Sequence, residues 1–241
     1  MIVCGKNAVL ECLRSNEKVF KLWVFKNLEK SIDQEVLSLS KKRSLKINFV
    51  DKQFLDKTTK NSHHQGYALE AEDFKYSSIE DILSYADQKG EQPFVVILDG
   101  VEDPHNLGSV VRVCECAGVH GIIIPKHNAC EVNHTVTKTS AGAITYTKIA
   151  KVNNLNSAIE ILKKQGLWIY GIELGGEDFY EQDLRGPIAL VIGSEGYGTS
   201  ALVKKNCDKI LTIPMFGKVN SLNASVACGV SVFEVIRQRR K

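Results

Sequence analysis

The sequence predicts an α/β protein: a larger C-terminal part built on a parallel sheet, preceded by a small α/β module. Three observations predict it. Short, strongly apolar runs such as PFVVIL (93–98) and GIIIP (121–125) have the character of strands buried on both faces. Stretches of helical periodicity separate them, the alternation expected of parallel strands joined by crossover helices. A chain of 241 residues, 44% hydrophobic and 24% charged, can bury a real core in one large domain or two small ones.

The elements follow in chain order. GKNAVLECLRSN (5–16) places Val9, Leu10, Cys12 and Leu13 at helical spacing, and VFKLWVF (19–25) reads as a strand. SIDQEVLSLSKKRS (31–44) is a helix with Ile32, Val36, Leu37 and Leu39 apolar; KINFV (46–50) is a strand, DKQFLDKTTK (51–60) a short helix, YALEAE (67–72) a strand. Residues 1–74 thus form one module. The polar stretch KYSSIEDILSYADQKGEQ (75–92), with one weak helical pattern and a Gly, reads as a linker. Residues 93–241 form the larger domain, with strands at 93–99, 121–125, 167–174, 188–193 and 209–214. Its helices lie near 106–117, 154–165 and 199–206, with a long one from about 221 to 239 that is apolar almost all round through Phe233 and so expected to be buried.

Charge is unevenly spread. The first 75 residues hold 14 Lys+Arg against 10 Asp+Glu, whereas the rest hold 17 against 18. Clustered basic charge, here Lys41-Lys42-Arg43 and Lys52, Lys57 and Lys60, fits a nucleic-acid partner, although charge alone equally describes a solvated face. The apolar runs are strand-length, far short of the ~20 residues that span a bilayer, and the N-terminus lacks a signal-peptide pattern, so a cytoplasmic protein is expected. The seven cysteines are scattered without a C-x-x-C, which reads as buried thiols in a reducing compartment, not as a metal site.

Three strands of the larger domain end in unusual loops. The first runs into DGVEDPHNLGSVVR, the fourth into GSEGYG, the fifth into MFGKVNSLNASVA. In a parallel sheet all three loops share one edge, so their polar residues converge. Each alone has a plain structural reading. Asp103-Pro104 and Gly108 make a turn, GSEGYG is a strand–helix turn with no phosphate-loop Lys, and Asn220 or Ser221 caps the last helix, with Asn223 in its first turn. Together they indicate a site. His105, Asn106 and Arg112 exceed what a turn needs.

These residues resemble the three motifs of SpoU-type RNA ribose 2′-O-methyltransferases, of the SPOUT class of AdoMet-dependent enzymes. The match runs through Asp103, Pro104, Asn106, Gly108, Ser109 and Arg112. It continues through Gly193, Ser194, Glu195, Gly196 and Gly198, then Ile213, Pro214, Met215, Gly217, Ser221, Leu222 and Asn223. GKNAV and HHQGYAL (63–69) are similar to the substrate-binding domain of the large-subunit rRNA guanosine enzymes of the RlmB type, so the resemblance covers nearly the whole chain. It implies a C-terminal trefoil knot, S-adenosyl-L-methionine (AdoMet) as cofactor, RNA (23S rRNA) as substrate and a homodimer. It requires no metal.

By that resemblance, AdoMet rests on backbone at Gly193, Ile213 and Leu222, with Met215 and Gly217 nearby. The matching Arg of the family is proposed as general base. A guanidinium with pKa above ~12 is hard to deprotonate, so the physical emphasis falls on Arg112 clamping the substrate phosphate and stabilising the 2′-alkoxide. Asn106 and Asn223 orient the ribose and Arg112; Glu195 pairs with Arg112, anchors its loop or accepts the proton; Ser221 contacts substrate or caps the helix. Two rival functions stay open: a tRNA ribose methyltransferase, and a non-catalytic RNA-binding relic. The relic should have lost Arg112, Glu195 or Asn223, all of which are present.

Overall fold

The computed structural model describes residues 1–15, 18–60, 63–194 and 196–240, and the chain divides into two compact units, Met1–Lys75 and Tyr76–Lys241.

Unit 1 comprises β1 (Ile2–Cys4), α1 (Lys6–Arg14), β2 (Val19–Phe25), α2 (Gln34–Lys42), β3 (Ile47–Val50), α3 (Lys52–Thr58) and β4 (Tyr67–Ala71). Its sheet has the order β1-β4-β2-β3, with β2 and β3 parallel and the other pairs antiparallel. Strand alternation sends Leu22, Val24 and Leu69 to one face, where they are buried with Val9, Leu13 and Val36 of α1 and α2. The two N-terminal motifs meet in space. Gly5 N–H donates to Tyr67 O (3.1 Å) and Lys6 N–H to Gln65 Oε1 (3.1 Å). His64 Nδ1 accepts from Gly66 N–H at 2.9 Å while its Nε2 faces Asp56 Oδ1 at 3.0 Å, which pins the turn between α3 and β4.

Unit 2 begins with α4 (Ile79–Gln88) and continues through β5 (Phe94–Asp99), α5 (Pro104–Cys116), β6 (Gly121–Pro125), α6 (His134–Thr139), β7 (Ile149–Val152) and α7 (Leu155–Lys164). It ends with β8 (Trp168–Asp178), β9 (Ile188–Gly193), α8 (Ala201–Asn206), β10 (Lys209–Thr212) and α9 (Ala224–Arg239). The sheet order is β10-β8-β9-β5-β6-β7, with every pairing parallel. The chain moves outward from β5 to β7, then returns on the other side of β5, so a switch point lies between β5 and β9.

Two expectations are corrected here. The stretch 75–92 is not a linker: α4 carries a full capping box between Ser78 and Asp81, and Ile79 and Ile82 are buried in the core with Val95, Ile123 and Ile159. The final helix is not buried all round: Val226 is 49% and Phe233 51% exposed, and its first residue is Ala224, not one near 221.

At the N-terminal edge of this sheet, buried His120 accepts from Phe94 N–H on Nδ1 (3.0 Å), which leaves Nε2–H to face Glu91 Oε2 (3.0 Å). Burial, more than any neighbouring charge, lowers its pKa below the ordinary value of about 6.5. The unfolded chain therefore takes up a proton that the folded chain resists. This contribution to stability is whole above about pH 6.5 and falls as pH drops below it, levelling off beneath the folded pKa. Melting temperature should fall from pH 7.5 to pH 5.5, and His120→Gln should flatten that slope.

Candidate active site

The three motif loops leave β5, β9 and β10 at the C-terminal edge of the sheet, and each is shaped by short-range chemistry. In the first, the Asp103 carboxylate accepts from His105 N–H (3.1 Å) and Pro104 occupies the first helical position, a standard helix start. Gly108 follows because α6 crosses there: a Cβ on it would lie 2.6 Å from Thr139 Cβ and 3.0 Å from Val136 O. In the second, Ser194 and Gly198 pair with each other, Ser194 N–H donating to Gly198 O (3.1 Å) and Gly198 N–H to Ser194 O (3.0 Å). In the third, Asn223 is the N-cap of α9, accepting from Ser225 N–H (3.0 Å) and Val226 N–H (3.4 Å).

The second and third loops, with the end of β8, line a cleft of about 380 Å³. Gly193, Ile213, Met215 and Leu222, expected to hold the cofactor, line it, and so does Ser221. Gly217 does not; it sits exposed in the loop between β10 and α9. Ser221 caps nothing, because Asn223 already serves the first N–H groups of α9. Asn223 Nδ2 donates to Asn106 Oδ1 at 2.9 Å, tying the start of α9 to the first turn of α5. Arg112 lies elsewhere. Six residues after Asn106 on α5, it points roughly 120° away round the helix and lines a separate hollow with Glu115, Ser140 and Tyr146. Glu195 lies outside the described residues.

The sequence reading missed one wall of the cleft. Ile172, Glu173 and Leu174 line it because β8 breaks register against β10: Ile210 pairs with Gly171, but Leu211 pairs with Glu177. The residues between bulge out, and Thr212 holds them, its hydroxyl donating to Glu173 O (2.7 Å) and accepting from Gly176 N–H (2.7 Å). Glu173 Oε1 accepts from Lys204 Nζ at 2.9 Å, while Oε2 is buried without a hydrogen-bond partner. The signal in the sequence was Gly175-Gly176 directly after the expected strand 167–174, which the observed β8 runs through. Among the described residues no group of three or more His, Cys, Asp or Glu is placed to hold a metal, and no helix is long and apolar enough to cross a membrane. Burial pushes the thiols of Cys130 and Cys207 up to about 11, so neither is a ready thiolate.

Asn223 can be tested separately for its cap and for its bond to Asn106. Asn223→Asp keeps the capping oxygen and loses the Nδ2 donor to Asn106. Melting temperature should change little while methyl transfer falls. Asn223→Ala removes the cap too and should cost a further ~1 kcal/mol of stability, measured by denaturant unfolding.

The SpoU rRNA Methylase family model matches residues 93–233, and a model for RNA 2′-O ribose methyltransferase substrate binding matches residues 2–77. YacO of Bacillus subtilis (strain 168), named as a TrmH family tRNA/rRNA methyltransferase, is 45% identical over 238 residues, covering 98% of this chain and 95% of that protein. Among solved structures, the SpoU methyltransferase AviRb from Streptomyces viridochromogenes, in complex with AdoMet, covers 100% of this chain and 91% of its own, with TM-score 0.70 and 22% identity. The A. aeolicus TrmH/SpoU tRNA modifying enzyme is 30% identical with TM-score 0.57, over 62% of this chain and 77% of its own. The two family models, which together span residues 2–77 and 93–233, and the 45% identity to YacO place this chain in the SpoU/TrmH family of RNA methyltransferases.

Proposed function

We propose that the protein transfers a methyl group from AdoMet to a ribose 2′-hydroxyl of RNA, a guanosine of 23S rRNA, in the cytoplasm. The observation that carries the reading is the cleft at the C-terminal sheet edge, lined by two of the three family motifs and tied through Asn223 to the third. Its size suits a small-molecule cofactor. Ile172, Leu174, Ile213 and Leu222 give it apolar walls for an adenine, and the orphaned Glu173 Oε2 suits a ligand that carries hydroxyl and ammonium donors. When bound, AdoMet supplies an electrophilic methyl group on a sulfonium. The chain's own task is to hold the 2′-oxygen in line with that methyl and to stabilise the charge that develops on it.

In this reading Asn106 and Asn223, hydrogen-bonded to each other, orient the ribose, and Ser221, on the cleft wall, contacts substrate. Glu195 is retained as a candidate proton acceptor. Arg112 opens to a different hollow from the cleft, on the helix whose neighbour α9 shows the exposed stripe of Val226 and Phe233. The arrangement supports a homodimer through that face, in which Arg112 reaches the partner's cleft and clamps the substrate phosphate. The C-terminal passage from β10 to α9 is read as the family's trefoil knot.

The match of residues 2–77 to a substrate-binding model favours rRNA, since the likeness to the tRNA-modifying enzyme covers 62% of the chain. The test uses labelled AdoMet with unmodified 23S rRNA and unmodified tRNA transcripts, followed by alkaline hydrolysis. A 2′-O-methyl group protects the adjacent phosphodiester. Label in an alkali-resistant dinucleotide from rRNA is expected. Label only in tRNA would replace the substrate, and AdoMet binding without transfer to either would favour the relic.

A further inference from the structure

We infer that Trp23 and Phe54 in unit 1 form a stacking platform for an unpaired base of the RNA, so that this unit selects single-stranded RNA over duplex. The inference rests on the RNA reading above and adds the class of RNA and the face that takes it.

Strand alternation sets the geometry. Leu22 and Val24 are fully buried toward α1 and α2, so Trp23, between them, stands on the opposite face of the sheet. Its cross-strand neighbours there are Asn48 of β3 and Ala68 of β4, both too small to cover an indole. The ring is only partly buried. Phe54, 42% exposed on α3, leans over it with ring centroids 5.7 Å apart and planes tilted by 54°. The pair offers an exposed Phe beside a half-buried Trp, and aromatic faces accept any base by stacking.

Lysines flank the pair: Lys21 shares the strand face of Trp23, and Lys52 and Lys57 are exposed on the helix that carries Phe54. Three carboxylates offset them, Glu70 3.5 Å from Lys21, Asp51 capping α3 by accepting from Phe54 N–H (2.8 Å), and Asp56 against His64, so the rings and not net charge carry the inference. Exposed aromatic surface takes unpaired bases, whereas duplex RNA offers stacked bases and is read through its backbone and shape.

The full chain supplies its own reporter. It has two tryptophans, and Trp168→Phe leaves Trp23 as the only indole. A ten-nucleotide single-stranded RNA of mixed sequence is titrated in, then the same strand annealed to its complement. We expect the single strand to quench Trp23 emission and to bind more tightly than the duplex. Phe54→Ala should weaken single-strand binding by roughly 10- to 100-fold, with affinity for S-adenosylhomocysteine unchanged. Single-strand binding with unaltered Trp23 emission, equal affinity for duplex, or wild-type affinity in Phe54→Ala would each overturn the platform while leaving the methyltransferase reading intact. A protein that binds neither RNA would overturn both.

Discussion

Arg112→Lys should lower kcat for RNA methylation by roughly 100- to 1000-fold, the usual cost of losing one preorganised donor to a transition-state charge. Cofactor affinity and melting temperature should stay as they are. Arg112 is exposed on α5 and has no hydrogen-bond or ion-pair partner among the described residues, so little of the fold depends on it. Lys keeps the positive charge and loses the planar fork of donors. A guanidinium can bridge a phosphate oxygen and the developing 2′-alkoxide at once, and an ammonium at the same position cannot match that geometry. The prediction is checked by single-turnover kinetics with AdoMet saturating, alongside calorimetric binding of S-adenosylhomocysteine. A Lys variant with near wild-type kcat would remove Arg112 from both the clamp and the base roles.

What could be read from the sequence follows how each element earns its stability. Strands β6 and β9 are buried on both faces, so GIIIP and IALVIG announce themselves as apolar runs. The three motif loops were legible because polar residues next to such strands have little structural reason to be there. β7 escaped notice because IAKV is a short edge strand with two partly exposed residues. α6, HTVTKT, has a poor intrinsic helix propensity, and its helix is fixed by docking over Gly108 and by the Asn133 cap (3.1 Å to Val136 N–H). In α4 the apolar positions Ile79, Ile82 and Ala86 were visible, but polar flanks made them look like a linker.

The site was legible as chemistry and only partly as geometry. The sequence grouped Asn106 and Arg112, yet helix periodicity alone separates them by roughly 120°. The Glu173 wall depends on a register break between β8 and β10, and pairing register is a tertiary property that no window of sequence contains.

The second large effect is expected at Gly193. In GSEGYG the glycines look equivalent, and they are not. A Cβ on Gly193 would lie 2.3 Å from Gly198 C and 2.5 Å from Thr199 N, both backbone atoms that no rotamer change can move aside. Gly198 and Thr199 would have to lift off the end of β9, and with Gly198 one wall of the cleft. Gly193→Ala should therefore weaken S-adenosylhomocysteine binding by at least about 100-fold and cost about 1–3 kcal/mol of stability. Gly196→Ala is the internal control for the fold: its Cβ would meet no protein atom within 4 Å, so stability should survive it. If Gly193→Ala binds normally, this loop does not shape the cofactor site. In the proposed homodimer, the pair Gly193→Ala and Arg112→Lys then decides which subunit each residue serves. Each homodimer should be inactive. If Arg112 reaches the partner's cleft, a mixed dimer unites an intact cleft from the Arg112→Lys protomer with an intact Arg112 from the Gly193→Ala protomer, and activity returns at one of its two sites. If Arg112 serves its own cleft, every site in the mixture keeps one defect and mixing restores nothing.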